Sequence, residues 1–119
     1  MAMPDEIKVL SFTYAIERVK DLTEGADKCD GLCHPDEYWI KIDSGLRGHE
    51  KPRVVLLHEI VHVIEEHTGV TMKESQVDAF ARALYSLMVD NPDLVAYLTE
   101  PKPIRKRKEP ENADQTPVG

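Results

Sequence analysis

Pro52-Arg53-Val54-Val55-Leu56-Leu57-His58-Glu59-Ile60-Val61-His62-Val63-Ile64-Glu65-Glu66-His67-Thr68-Gly69 is the stretch on which the fold turns. Pro52 suits a first helical turn. The polar run Glu65-Glu66-His67-Thr68 followed by Gly69 marks a C-terminus. Between them Val54, Val55, Leu56, Leu57, Ile60, Val61, Val63 and Ile64 are apolar nearly all round, the composition of a helix buried at the centre of its domain. His58, Glu59 and His62 interrupt that helix. Burying three polar groups without a purpose is costly.

Residues four apart on a helix are separated by about 40° around the axis. His58 and His62 therefore share a face and can reach one Zn²⁺. Glu59 is turned about 100° from His58. It sits beside a metal rather than on it, where it can take a proton from a water the metal has acidified. Glu59 is thus the candidate catalytic base. His67, five residues beyond His62, faces away and reads as a solvated histidine at the helix end.

Working outward, a second helix is expected from about Met72 to Val89, with Val77, Phe80, Ala81, Leu84 and Met88 as its apolar stripe. The link around Gly69-Val70-Thr71 is short, so the two helices should lie antiparallel and touch. That places the start of the second helix beside His62. Glu74 is then the third metal ligand. Asp78, one turn deeper, accepts the remaining ring N–H of a ligand histidine, His58 by position, and fixes its tautomer. Asn91-Pro92 stops the helix, and Pro92 to Leu98 makes a short third one with Asn91 as cap.

On the N-terminal side, Ile7 to about Ile16 alternates apolar and polar residues and reads as a strand, broken near Ser11. Lys20 to Asp36 is polar, with Gly25, Gly31 and Pro35, and reads as loop. Tyr38 to Asp43 is a second strand, with Tyr38, Ile40 and Ile42 on one face. Cys29, Cys33 and His34 fall in the expected loop. Three donors are one short of a structural zinc site, so both thiols should be free. Tyr14, Tyr38, Tyr85 and His49 are equivalent candidates for a donor to a developing oxyanion.

The expected fold class is α+β: a short antiparallel sheet packed on the His-Glu-x-x-His helix and a second, antiparallel helix. With 119 residues the chain holds one domain, expected over 1–100, followed by a Pro-, Lys- and Arg-rich tail over 101–119 expected to be disordered. The net charge of −7 argues against nucleic acid and favours a monomer. No run approaches the roughly 20 apolar residues of a membrane span, and the N-terminus lacks signal-peptide character, so a cytoplasmic location is expected.

Leu56-Leu57-His58-Glu59-Ile60-Val61-His62, with Glu74-Ser75-Gln76-Val77-Asp78-Ala79-Phe80-Ala81 downstream, resembles the zincin metallopeptidases, and among them the ImmA/IrrE-like family in its compact phage and prophage forms. The family has a leucine-rich lead into the motif helix, a strand before it, and a glutamate ahead of Phe-Ala on the next helix. The resemblance covers 38–90. It departs in lacking a Met-Pro after the second helix's apolar run, where Leu87-Met88 continues to Asn91-Pro92, and in the short link between His62 and Glu74. It implies one zinc held by His58, His62 and Glu74, Glu59 as base, and a protein or peptide substrate. Two other readings stand beside it: a non-catalytic zinc-binding interaction module of phage origin, and a zinc-dependent amide hydrolase with a small substrate.

Overall fold

The structure, a computed structural model, describes residues 1–104. Within them the elements are β1 (Glu6–Val9), β2 (Phe12–Val19), β3 (Thr23–Glu24), β4 (Asp27–Lys28), β5 (Gly31–His34), β6 (Trp39–Asp43), α1 (Glu50–Thr68), α2 (Glu74–Asp90) and α3 (Pro92–Leu98). The class is α+β, as expected. Most of the expected tail, residues 105–119, lies outside the described residues.

The sheet is not antiparallel throughout. Its four strands run in the order β1-β2-β6-β5, and the central pair, β2 with β6, is parallel, with Ile16 opposite Ile40 and Arg18 opposite Ile42. The outer pairs are antiparallel. Alternating burial fixes which face of a strand is covered but not its direction, so the sequence could not distinguish the two. The expected break near Ser11 is a hairpin turn: Leu10 and Ser11 both have positive φ, 49° and 75°, and the chain reverses between β1 and β2. Left-handed residues at both central positions match the twist of a two-residue hairpin. No glycine or asparagine announces this turn.

Lys20 to Asp36 is not simply loop. It contains the β3–β4 hairpin and the edge strand β5. Gly31-Leu32-Cys33-His34 has little β propensity of its own. Backbone pairing with β6, Gly31 opposite Ile42 and Cys33 opposite Ile40, overrides it. Asp43, only 6% exposed, anchors the preceding turn by accepting the Leu22 N–H at 3.1 Å through its side chain.

Val9, Tyr14, Ile16, Ile40 and Ile42 from the sheet pack with Val63 of α1 to form the core. Tyr38 does not join Ile40 and Ile42. It precedes β6 with φ 60° and is 43% exposed. The first helix runs to Thr68 and closes on Gly69 at φ 77°, whose N–H reaches the Glu65 carbonyl at 2.9 Å. Ile64 is exposed, so α1 is covered by the sheet and α2 rather than on all sides.

Successive contacts run backward along α1 as α2 advances: Met72 meets Glu65, Glu74 meets His62, and Asp78 faces His58. The two helices are therefore antiparallel. Val77 and Ala81 are fully buried between them, while Phe80 of the expected stripe is 52% exposed because α1 covers only one flank of α2. Gln76 reaches back to accept the Lys73 N–H at 2.8 Å and closes the start of α2. Asn91 does not cap α3. Its amide donates to the Leu87 carbonyl at 2.8 Å, finishing α2 instead. No helix among the described residues is long and apolar enough to cross a membrane.

Candidate metal centre

The one-turn spacing of His58 and His62 on α1 brings their rings to 4.9 Å between centroids. Glu74, in the first turn of α2, lies across both. One carboxylate oxygen is 2.7 Å from His58 Nε2 and the other 3.0 Å from His62 Nε2. One ligand atom from each of the three residues falls within a sphere of mutual distances no greater than 4.8 Å. Ligands about 2.0–2.1 Å from a tetrahedral zinc lie roughly 3.3–3.5 Å from one another, so the group can hold a metal ion after small side-chain shifts. Two imidazole nitrogens and one carboxylate oxygen are also a donor set suited to zinc.

Glu59 stands outside this group and beside it. It is 7% exposed. Burial raises its pKa above the ordinary 4.5, against the opposing pull of His58 and His62. Strand β5 runs directly over it. A Cβ placed on Gly31 would come within 2.9 Å of Glu59 Oε2 and 2.8 Å of Val55 Cγ1, so only glycine leaves the carboxylate its place. Two residues on, the Cys33 thiol lies beside the Glu59 carboxylate and works against the effect of burial on its pKa. Burial first, then the neighbouring Glu59, push that thiol up to about 12. Cys33 is thus unpaired, as expected, but it is a strand residue facing the site rather than a loop thiol.

Asp78 takes the expected place only in part. Its Oδ1 faces His58 Nδ1 at 3.7 Å, beyond hydrogen-bonding distance, while Oδ2 accepts from Arg82 Nε at 2.9 Å. The Arg82 hydrogen bond is the main reason its carboxyl is held below the usual range. The carboxylate that does hold one of the two histidines is Glu65, 2.8 Å from His62 Nδ1. Sequence reasoning passed over it as part of the polar helix end. Its spacing, three residues beyond His62, was the available signal.

Gly31, Val55, His58, Glu59, Glu74 and Asp78 line one cleft of about 580 Å³. Of the four oxyanion candidates only His49 lines it, at the far end of α1, nine residues and roughly 13 Å of helix rise from His58. Tyr14 and Tyr38 lie elsewhere, in an aromatic group around His67. There Tyr14 is fully buried with its hydroxyl 2.7 Å from His67 Nε2, and Phe12 stacks on the His67 ring at 4.0 Å. His67 is therefore not a solvated histidine but a partner of the β2 aromatics, away from the ligand group. Tyr85 is half-buried on α2 and does not line the cleft.

No protein-family model matches the chain, and no curated protein or solved structure matches it significantly. The resemblance to the zincins rests on the motif residues alone.

Proposed function

We propose that the chain is a zinc-dependent metallopeptidase of zincin type, with His58, His62 and Glu74 holding one zinc and Glu59 as catalytic base. The observation that carries this reading is the position of Glu59. It is a buried carboxylate outside the ligand group, opening on the cleft that His58 and Glu74 also line and confined there by Gly31 and Cys33. A purely structural metal site has no use for such a group, whose burial carries a desolvation cost.

Bound zinc supplies an electrophile that acidifies water and polarises a carbonyl oxygen. Glu59 takes the proton from the attacking water and delivers it to the departing amine nitrogen, so that one residue serves as base and then as acid. A carboxyl whose pKa burial has raised is better matched to both steps than a solvated one. Cys33 lies beside the carboxylate and Gly31 leaves it room, which together limit where it can swing. Among the described residues β5 is an edge strand of its sheet, and an extended peptide can hydrogen-bond to such an edge. That edge beside Glu59 favours a peptide over a small amide as substrate.

Metal analysis of the purified protein, paired with mass-spectrometric detection of cleavage in a peptide library, tests the proposal. The wild type should carry about one zinc per chain and cleave. Glu59→Gln should keep the zinc and lose cleavage, and His58→Ala with His62→Ala should lose both. Zinc without cleavage by the wild type would favour the non-catalytic interaction module.

A further inference from the structure

Glu65 lies one helical turn beyond His62 and on the same face. Each of its two carboxylate oxygens has a separate partner. Oε1 is 2.8 Å from His62 Nδ1, and Oε2 accepts the backbone N–H of Met72 at 2.7 Å. Its side chain is 15% exposed, against 71% for Glu74. An exposed carboxylate would gain little by holding both groups. A mostly buried one, satisfied on both oxygens, fixes the geometry of whatever it touches.

Its partners sit on opposite sides of the turn that joins the helices. His62 belongs to α1. Met72 lies in the connection, two residues before Glu74, where α2 begins. The backbone carbonyl of Glu65 itself accepts the Gly69 N–H that closes α1, at 2.9 Å. Glu65 thus ties one end of the candidate ligand group to the segment that carries the other.

The two histidines are held unequally. Among the described residues His58 Nδ1 faces Asp78 at 3.7 Å, a carboxylate already engaged by Arg82. His62 Nδ1 has Glu65 at hydrogen-bond distance. A proton held on Nδ1 by a carboxylate leaves the Nε2 lone pair for a metal and stops the ring from turning over.

We propose that Glu65 is the positioning residue of the metal centre: by orienting His62 and anchoring the connection at Met72, it sets the His62–Glu74 spacing before any metal binds. This rests on the reading of His58, His62 and Glu74 as metal ligands. Both Glu65 oxygens are taken by protein partners, so its effect passes through His62 and Glu74.

Cobalt(II), whose visible absorption reports coordination geometry, is the probe. The full chain is stripped of metal and titrated with cobalt(II) alone, for wild type, Glu65→Gln, Glu65→Leu and His62→Ala. Glutamine keeps the shape, but its single oxygen cannot serve both partners. Loss of such an outer carboxylate costs about 10–100-fold in metal affinity, so Glu65→Gln should weaken cobalt binding by that range and alter the spectrum. Glu65→Leu should do at least as much. Melting curves of the metal-free variants are the control. A lowered midpoint with wild-type affinity and spectrum would make Glu65 a structural tether only and overturn the proposal. Should Glu65→Leu fail to fold, the near-isosteric Glu65→Gln decides alone. Normal cobalt binding by His62→Ala would instead remove the metal centre itself, a failure separate from that of Glu65.

Discussion

Replacing Gly31 by alanine asks whether the contact between β5 and Glu59 governs chemistry or merely packing. The new Cβ would lie 2.8 Å from Val55 Cγ1, 2.9 Å from Glu59 Oε2 and 3.0 Å from Glu59 Cγ. The valine methyl is short and fixed to a helix, so it cannot retreat far. The glutamate is the softer neighbour and should swing aside by about an ångström. Overpacking of this kind costs about 1–3 kcal/mol. Alanine recovers about 0.4–1 kcal/mol of that by restricting the unfolded chain. The net loss, about 1–2 kcal/mol, lowers the melting midpoint by roughly 5–15 °C in a domain of this size. The effect on rate is larger, since misplacing a catalytic group by about 1 Å can cost about 100-fold. The ligand residues are untouched, so zinc content should stay at the wild-type level. The assay is kcat and KM on a cleaved peptide well below the lowered midpoint, with metal content measured on the same sample. Wild-type kcat in a folded, zinc-loaded Gly31→Ala protein would refute the reasoning, because the carboxylate displaced by the new methyl could not then be the base.

Three further outcomes are expected. A strong chelator should lower the melting midpoint by roughly 15 °C when zinc had been present at about a thousandfold over its dissociation constant, without unfolding the chain at room temperature; no shift from a verified zinc-loaded sample would mean that no metal bridges α1 and α2. In the chelated protein Glu59 has a raised pKa, so its ionisation weakens the fold as pH climbs from about 4.5 through the folded-state value; Glu59→Gln should therefore melt higher than the wild type at pH 7, with the difference vanishing below pH 4, and an equal or lower midpoint at pH 7 would contradict the burial argument. Cys33, pushed up to about 12, should resist iodoacetamide at pH 8 in the native protein and react in urea, with peptide mapping as the readout.

What the sequence made legible was governed by periodicity and capping. Pro52 and Gly69 bracket α1 correctly, and the four-residue spacing of His58 and His62 needs only helical geometry to become a shared face. Glu74 followed from one further step, that a short link forces the two helices to lie antiparallel. The failures lie where pairing partners decide. Gly31 to His34 has no strand signal until β6 is beside it, and nothing in Tyr14 or Ile16 says that β6 runs parallel. Leu10 and Ser11 turn the chain without the residues that usually mark such a turn. Glu65 was missed for another reason: a carboxylate at a helix end has a ready explanation in solvent, and only the Met72 N–H, brought back by the connection, gives it a second partner.

The parallel seam between β2 and β6 has a consequence for how the molecule comes apart. The β1–β2 hairpin, the β5–β6 hairpin and the α1–α2 pair each join neighbours in the chain. The seam, Ala15 to Trp39 through Val19 to Asp43, joins strands separated by the whole β3–β5 segment. Closing it carries the larger loop entropy, so it forms late and is the first long-range pairing to open. All the residues that line the cleft, from Cys29 to Arg82, lie on one side of it. The β1–β2 hairpin lies on the other, contributing Val9, Tyr14 and Ile16 to the core and nothing to the cleft. Partial opening would therefore lift the hairpin as a unit and wet Ile40, Ile42 and Val63, while His58, His62 and Glu74 stay together. Amide hydrogens on β2 should exchange sooner than those of α1, and a protease that finds the chain half-open should cut ahead of β5.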